Sequence, residues 1–246
     1  GVGKAFAEKI ASEGMSVVLV GRREEMLQEL GKNISETYGV DHMVIRADFA
    51  QSDCTDKIFE ATKDLDMGFM SYVACFHTFG KLQDTPWEKH EQMINVNVMT
   101  FLKCFYHYMG IFAKQDRGAV INVSSLTAIS SSPYNAQYGA GKSYIKKLTE
   151  AVAAECESTN VDVEVITLGT TITPSLLSNL PGGPAGEAVM KTAMTPEACV
   201  EEAFDNLGKS LSVIAGDHNK ANVHNWQANK TDDEYIRYMG SFYSNN

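Results

Sequence analysis

The sequence predicts an α/β protein of the Rossmann type, a doubly wound parallel sheet with helices on both faces. Short apolar, β-branched runs alternate along the chain with longer amphipathic stretches, which is typical of strands joined by helical crossovers. The length of 246 residues and a hydrophobic content of 44% suit one such domain, residues 1–246. Right-handed crossovers bring the carboxyl ends of the strands to one edge of the sheet, where we expect the ligand.

Composition excludes several classes of function. A net charge of −10 and a pI near 5.1 argue against a nucleic-acid partner or an anionic membrane surface. No apolar run approaches the ~20 residues of a membrane helix, and we expect no signal peptide. Five scattered cysteines without a C-x-x-C pair indicate a reduced, cytoplasmic protein.

The first residues look like the end of a phosphate-binding loop. Gly1, Val2 and Gly3 lead into a predicted helix, Ala5–Glu13, and glycine-rich loops place backbone N–H groups against a pyrophosphate at such a helix start. A loop of this kind normally follows a strand. We therefore expect about 15–20 further residues upstream in the native protein, including the central strand of the sheet. The alternative is a plain flexible terminus.

Two arginines follow the next predicted strand, Ser16–Val20, and precede a helix that reaches Tyr38. In a dinucleotide-binding sheet this strand end meets the adenosine ribose. An acidic residue there binds the 2′-hydroxyl of NAD, whereas arginine suits a 2′-phosphate. Arg22 and Arg23 therefore predict NADP rather than NAD. The alternative is that both are solvated turn residues.

The third predicted strand, His42–Ala47, ends at Asp48. This carboxylate is interpreted either as an acceptor for the adenine amino group or as a cap for a helix beginning near Asp53. A fourth strand, Phe69–Cys75, precedes His77. That histidine has no second ligand at metal spacing, so we interpret it as a wall of the site and predict no metal.

A long helix is predicted from about Trp87 to Lys114, because Thr85, Pro86 and Glu88 form a helix-start pattern. Asn97 lies among apolar residues of this helix, where an unpaired amide would be costly. It either bonds the backbone of its own helix or marks a kink or water site next to Lys142.

The stretch from Gly118 to Ser143 carries the clearest chemistry. Its first part, Ala119–Ser124, is apolar enough to be a buried strand, so Ser125 falls at the carboxyl end of that strand. A helix is predicted from Gln137 to Cys156. Tyr138 and Lys142 are four residues apart on it and therefore share one face.

These three side chains have a chemical interpretation. A free tyrosine has a pKa near ~10, and a neighbouring cation such as Lys142 lowers it. The phenol of Tyr138 can then exchange a proton with a substrate oxygen, while Ser125 holds that oxygen by a hydrogen bond. The alternative is an ordinary tyrosine and lysine on a helix surface.

The last third of the chain begins with a predicted strand, Val161–Leu168. Gly169 then allows close backbone approach, and Thr171 and Thr173 either cap the next helix or bond a ligand. We interpret the turn-rich segment at about 173–195 as a mobile flap over a pocket, with a plain loop as the alternative.

A helix from Thr195 to about Leu207 and a last strand, Leu211–Ala215, complete the predicted sheet. The tail, about 217–246, mixes polar residues with aromatic ones. Such a tail is expected to pack onto a neighbouring surface rather than to bind a cofactor.

The chain resembles the short-chain dehydrogenases/reductases over its whole length, in the order and spacing of a set of these residues. The set is Gly1-x-Gly3, Asp48, Asn97, Ser125, Tyr138-x-x-x-Lys142 and Gly169 with Thr173. The resemblance implies that Tyr138 is the proton donor and acceptor, and that Lys142 binds the nicotinamide ribose and tunes the tyrosine. It also implies that Ser125 orients the carbonyl and Asn97 supports a water relay to Lys142.

Together with the two arginines, the resemblance implies a set of contacts to NADP(H). The residues are Gly1, Val2, Gly3, Arg22, Arg23, Asp48, Phe49, Ala74, Tyr138, Lys142, Gly169, Thr171 and Thr173. Two departures from the family pattern stand out. Ala74-Cys75-Phe76-His77 replaces the usual Asn-Asn-Ala-Gly, and Leu168-Gly169 replaces the usual Pro-Gly.

A closer resemblance, to bacterial hydroxysteroid dehydrogenases within that family, implies a bile acid or related steroid as the small-molecule substrate. The stretches that carry it are DMGFMSYVAC, DTPWEKHEQMINVNV, GAVINVSS, VDVEVITLGTT, PSLLSNLPGGP and DEYIRYMGSFY. The family usually assembles as homodimers or homotetramers through two long helices, here near Trp87–Lys114 and Asn135–Cys156. Two other functions stay open: a reductase of acyl thioesters or simple ketones, and a non-catalytic NADP-binding regulator.

Overall fold

The computed structural model describes residues 1–178, 180 and 182–241, and within them six strands that are all parallel to their neighbours. The strands are β1 (Val17–Gly21), β2 (His42–Arg46), β3 (Phe69–Tyr72), β4 (Gly118–Ser125), β5 (Val161–Leu168) and β6 (Ser212–Ile214). They pair in two groups, β1 with β2, and β3-β4-β5-β6. Parallel strands flanked by helices confirm the predicted α/β fold.

The helices connect the strands and cover both faces of the sheet. They are α1 (Val2–Ser12), α2 (Glu24–Tyr38), α3 (Cys54–Thr62), α4 (Trp87–Ile94), α5 (Phe101–Gln115), α6 (Ala136–Cys156), α7 (Pro174–Ser178), α8 (Gly183–Thr192), α9 (Pro196–Asn206), α10 (Asp217–Asn229) and α11 (Asp232–Ser241). No helix in the described ranges is long and apolar enough to cross a membrane.

Alternation along the strands divides the core between the two faces. On β5, Val161 and Val163 pack with α3, α5 and α6, whereas Ile166 and Leu168 pack with α1 and α9. Val18 and Val20 of β1 pack against the same core as Val161 and Val163, and this core also contains residues of β3. The two groups of strands therefore rest on a common core.

The longest ladder positions the central stretch. The strands β4 and β5 are paired from Gly118 opposite Val161 to Ser125 opposite Leu168. Ser125 and Gly169 therefore leave the sheet side by side at its carboxyl edge. This is the edge at which the sequence predicts the ligand.

Two elements differ from the sequence expectation. The predicted long helix is divided by a π-helical segment, Asn95–Thr100, between α4 and α5. This segment contains Asn97, whose side chain bonds the backbone of Phe76 outside the helix. The strand β3 ends at Tyr72 instead of Cys75. The chain leaves the ladder there because the backbone of Phe76 is bonded to the side chain of Asn97.

The turn-rich segment and the tail are more regular than expected. The turn-rich segment contains the helices α7 and α8, and the tail contains α10 and α11. Trp226 of α10 is buried, and its ring centroid lies 4.2 Å from that of Tyr235 on α11. The helix α11 reaches back to the loop before α6, where Gly240 lies against Pro133. Pro181 of the turn-rich segment, and Phe242 and Tyr243 of the tail, lie outside the described residues.

A carboxyl group without a partner is buried in β5. Glu164 has no exposed surface, neither of its oxygens has a hydrogen-bond partner in the part of the chain that the structure describes, and it lies on the same face as Ile166 and Leu168. Burial, with the nearby charge of Glu202 as a second cause, raises its pKa from 4.5 to about 8. The folded protein therefore keeps Glu164 protonated at neutral pH.

This buried acid predicts a pH-dependent stability. Because the pKa is raised on folding, the stabilisation is complete below pH 4.5 and is lost as the pH rises through about 8. Over that window the group lowers the free energy of unfolding by up to ~1.4 kcal/mol per pH unit. Glu164→Gln should flatten the dependence in denaturant titrations, whereas the exposed Glu155→Gln on α6 should not. An unchanged slope in Glu164→Gln would refute the assignment.

Candidate active site

Ser125, Tyr138 and Lys142 come together where β4 ends and α6 begins. Tyr138 and Lys142 share one face of α6, with the Lys142 Nζ 5.8 Å from the centre of the tyrosine ring. The Ser125 hydroxyl hydrogen-bonds the phenol and thereby acts on its pKa. The structure thus brings together the three groups that the sequence predicts to act on one substrate oxygen.

Thr127, which the sequence analysis missed, orients Ser125. Its backbone N–H and its hydroxyl both donate to the Ser125 Oγ, at 3.3 and 3.1 Å. Because a hydroxyl has two acceptor sites and one proton, Ser125 is left to donate that proton outward. A hydroxyl two residues beyond a strand end is too common a pattern to single out from the sequence.

Lys142 is buried, with 2% of its surface exposed. Its Nζ donates to the Val123 carbonyl oxygen at 2.8 Å, and the Ser124 hydroxyl donates to the Lys142 carbonyl oxygen at the same distance. Two further protons of the ammonium stay available beyond the bond to Val123. Burial lowers the pKa of Lys142.

The pKa of Tyr138 moves opposite to the sequence expectation. Burial of the phenol raises this pKa, the Cys75 thiol adds to the rise, and only the hydrogen bond with Ser125 lowers it. Loss of hydration is the largest cause of the rise, and among the described residues Lys142 does not lower this pKa, so that expectation was wrong. The phenol of this structure is therefore a neutral acid, the form that can protonate a ketone oxygen.

Asn97 fixes the chain segment after β3 and not its own helix. Its Nδ2 donates to the Phe76 carbonyl oxygen at 2.7 Å, and its Oδ1 accepts from the Phe76 N–H at 2.9 Å. The interpretation as a bond to its own helix is therefore wrong, whereas the π-helical segment matches the expected irregularity. A Cβ on Gly141 would come within 3.2 Å of the Asn97 Cβ, so Gly141 lets this segment approach α6 one residue from Lys142.

His77 and Cys75 border the phenol from this clamped segment. The His77 ring centroid lies 5.6 Å from that of Tyr138, and partial burial together with the Lys142 charge lowers the pKa of the imidazole. Cys75 acts on the pKa values of both Tyr138 and Lys142. A neutral imidazole beside the phenol agrees with the expected wall of the site.

The amino end of α1 provides a place for a phosphate. No side chain of the described residues caps this helix end, its first turn holds no acidic residue, and a Cβ on Gly3 would have none of those residues within 4 Å. Thr173 approaches the same end, 3.4 Å from where a Cβ on Gly1 would lie. Val2 and Gly3, as the first residues of the helix, have backbone N–H groups without a partner among the described residues, and the helix end is positive, which fits a pyrophosphate.

Arg22 and Arg23 are exposed at the end of β1, and neither forms an ion pair within the described part of the chain. A third guanidinium, missed in the sequence, belongs to Arg46. Its position on β2 pairs with Gly21, directly before Arg22. The register of the two strands would have revealed this neighbour. Three exposed arginines at one strand end fit a phosphate monoester better than a bare ribose hydroxyl.

The remaining candidate cofactor residues lie along the same edge. The Asp48 Oδ1 accepts from the Ala50 N–H at 3.1 Å. The helix α3 begins at Cys54 with Asp53 in the N-cap position, so the interpretation of Asp48 as the cap of that helix is wrong. The ring of Phe49 packs edge-on against Tyr72. Ala74 lies against the same core.

The residues after β5 use their hydroxyls locally. The Thr171 Oγ1 donates to the Gly169 carbonyl oxygen at 3.2 Å, and the Thr173 Oγ1 accepts from the Leu176 N–H at 3.2 Å, so Thr173 caps α7. The capping interpretation of Thr173 is thus confirmed. The groups of this loop that remain available to a ligand are its main-chain groups and the outer side of Thr173.

Fold and site define a dehydrogenase of the short-chain type, and comparison with known proteins agrees. The family model described as short chain dehydrogenase matches residues 1–180, so the chain belongs to that family.

Two of its relatives are named for one specific activity within that family. The chain is 74% identical over 243 residues to the 7β-hydroxysteroid dehydrogenases of Mediterraneibacter gnavus and Collinsella aerofaciens, covering 99% of this chain and 92% of each relative. A solved structure from work on 7β-hydroxysteroid dehydrogenase stereoselectivity superposes with a TM-score of 0.95 at 74% identity, covering 97% of this chain and 92% of that one.

Proposed function

We propose that this protein is an NADPH-dependent hydroxysteroid dehydrogenase that interconverts 7-keto and 7β-hydroxy bile acids, with 7-ketolithocholate and ursodeoxycholate as the expected pair. The observation that carries the proposal is the 74% identity to 7β-hydroxysteroid dehydrogenases over nearly the whole chain. The assembled Ser125, Tyr138 and Lys142 support an active enzyme rather than a non-catalytic regulator, because a cofactor sensor has no use for a positioned acid.

The reaction follows from the geometry of these side chains. The two bonds from Thr127 leave Ser125 its proton, which bonds the phenol in this structure and turns to the ketone oxygen when the substrate binds. The neutral phenol of Tyr138 gives its proton to that oxygen, which becomes the hydroxyl of the product. NADPH, when bound, supplies the hydride to the carbonyl carbon. Lys142, whose Nζ lies 5.8 Å from the centre of the tyrosine ring, keeps two ammonium protons with which to hold the cofactor beside the phenol.

The cofactor is assigned from the residues of the carboxyl edge. The amino end of α1 fits the pyrophosphate, and Arg22, Arg23 and Arg46 fit the 2′-phosphate that distinguishes NADP from NAD. Lys142 retains two donors for the nicotinamide ribose.

The flap and the tail are proposed to enclose the steroid. The segment at about 173–195 follows Thr173, which lies against the amino end of α1. In the tail, Ile236 of α11 borders a cavity of about 330 Å³ that is also lined by Thr127 and the hydroxyl-rich loop after it. The mixture of hydroxyl and apolar walls suits a rigid apolar nucleus that carries a few polar groups.

Assembly into homodimers or homotetramers is proposed through α4, α5 and α6. Large apolar side chains are exposed on these helices, with 72% of Trp87 and 81% of Tyr106 accessible. All five cysteines are free thiols, which supports the cytoplasm as the compartment.

The deciding experiment follows NADPH consumption with 7-keto, 3-keto and 12-keto bile acids in parallel and identifies the product epimer by chromatography. We expect turnover of the 7-keto acid alone and a 7β-alcohol as product. Acyl thioesters and simple ketones serve as the competing substrate classes. Preference for one of these, or a 7α product, would overturn the proposed function.

A further inference from the structure

The two ends of the flap are hydrogen-bonded to each other where Thr170–Ile172 pair with Met194, and we call this pairing the neck. The Ile172 N–H donates to the Met194 carbonyl oxygen at 2.8 Å, and the Met194 N–H donates to the Thr170 carbonyl oxygen at 3.0 Å. Thr171 and Met194 form an isolated parallel bridge. The path of Gly169–Thr173 therefore depends on where Met194 is held.

Met194 is held by the start of α10. Its Sδ lies only 2.4 Å from where a Cβ on Gly216 would be, and Gly216 has a positive φ of 84° that favours glycine. The Asn219 Nδ2 contacts the same sulfur at 3.9 Å. Gly216 and Asn219 of the C-terminal segment therefore hold the side chain of Met194 in place.

Asn219 holds the other side of the neck as well. Its side chain is 94% buried, and its Nδ2 donates to the Ala215 carbonyl oxygen at 2.6 Å, which fixes the rotamer. A Cβ on Gly169 would fall 2.6 Å from both the Nδ2 and the Oδ1 of this amide. The amide therefore lies directly against the backbone of Gly169, where any side chain would collide with it.

We propose that Asn219 is a positioning residue that sets the path of Gly169–Thr173 and thereby the nicotinamide side of the cofactor site. Among the described residues, the Asn219 side chain bonds Ala215 and Met194 and forms no hydrogen bond with Ser125, Tyr138 or Lys142, so it acts through the loop. Nothing in the sequence marks it, because the glycine it supports is 50 residues away. This inference rests on the proposed function, since it takes the loop to be part of the cofactor site.

A double-mutant cycle between Gly169 and Asn219 tests the contact. Gly169→Ala should weaken NADPH binding about tenfold, because its methyl group overlaps the amide. Adding Asn219→Ala removes the amide and should restore most of that affinity. The measurement is the dissociation constant from NADPH fluorescence, with thermal unfolding recorded to confirm that each variant is folded. An equal loss from Gly169→Ala in both backgrounds would overturn the inference.

Asn219→Ala alone separates positioning from general stability. We expect a several-fold rise in the KM for NADPH with kcat nearly unchanged, and faster amide exchange at Ile172 and Met194, whose N–H groups close the neck. The matched control is Asn222→Ala, an exposed asparagine on the same helix that contacts His218. Unchanged exchange at the neck in Asn219→Ala would also refute the inference.

The two proposals fail in different ways. If the unaltered protein binds no NADPH or reduces no 7-keto bile acid, the proposed function fails whatever Asn219 does. If the unaltered protein does both and Asn219→Ala does not rescue Gly169→Ala, only the role of Asn219 is lost.

Discussion

Replacing Tyr138 with phenylalanine is expected to lower kcat for ketone reduction by roughly 10³-fold, the usual contribution of a positioned general acid. The substitution removes the phenolic oxygen and keeps the ring that packs beside His77. NADPH affinity should change little, because the groups proposed to bind the cofactor, at the amino end of α1, at the arginines and at Lys142, stay in place.

The matched control is Tyr144→Phe on the same helix. Its ring is partly exposed and meets Phe101 edge-on, away from Ser125, so removing its hydroxyl should leave kcat unchanged. Steady-state kinetics and NADPH fluorescence titration on both variants give the comparison. Full activity in Tyr138→Phe would remove the tyrosine from the mechanism.

The second large effect concerns the choice of cofactor. Arg22→Ala and Arg23→Ala should each raise the dissociation constant for NADPH by ~10–100-fold, the range for a lost charge-assisted hydrogen bond. NADH has no 2′-phosphate, so its affinity should hardly change. The preference for NADPH over NADH should therefore shrink by the same factor.

Lys32→Ala supplies the control for this experiment. It removes one positive charge from the exposed face of α2, where Lys32 pairs with Glu36, without altering the end of β1. Its effect on both cofactors should be small and equal. An equal loss of NADPH and NADH in the arginine variants would contradict a 2′-phosphate site.

Much of the fold could be predicted because strands and helices depend on residue patterns that are local in the sequence. The strand Val161–Leu168 has the predicted ends, and α6 differs by one residue, since apolar β-branched runs and helix-start residues mark both elements. The tail helices were missed because α10 is mostly polar along its length. Its single buried aromatic, Trp226, finds its stacking partner Tyr235 only after the chain folds back.

The candidate site could be predicted where its residues lie on one element or at adjoining ends. Tyr138 and Lys142 follow from helical spacing alone. Arg46 could not be foreseen, since its place beside Arg22 depends on strand register, and the partner of Asn97 depends on a tertiary contact with Phe76. The raised pKa of Tyr138 was missed for the same reason, because burial is a property of the folded chain.

The ladder between β4 and β5 has a consequence for how this enzyme is made and how it diversifies. Ser125, Tyr138 and Lys142 all belong to one β-α-β unit, Gly118–Leu168, whose strands are paired along their whole length. During synthesis this unit leaves the ribosome before the flap and the tail, so its two strands and their connecting helix can pair before those segments are made. Mutations that reshape substrate recognition in later segments can therefore accumulate without rebuilding the chemistry.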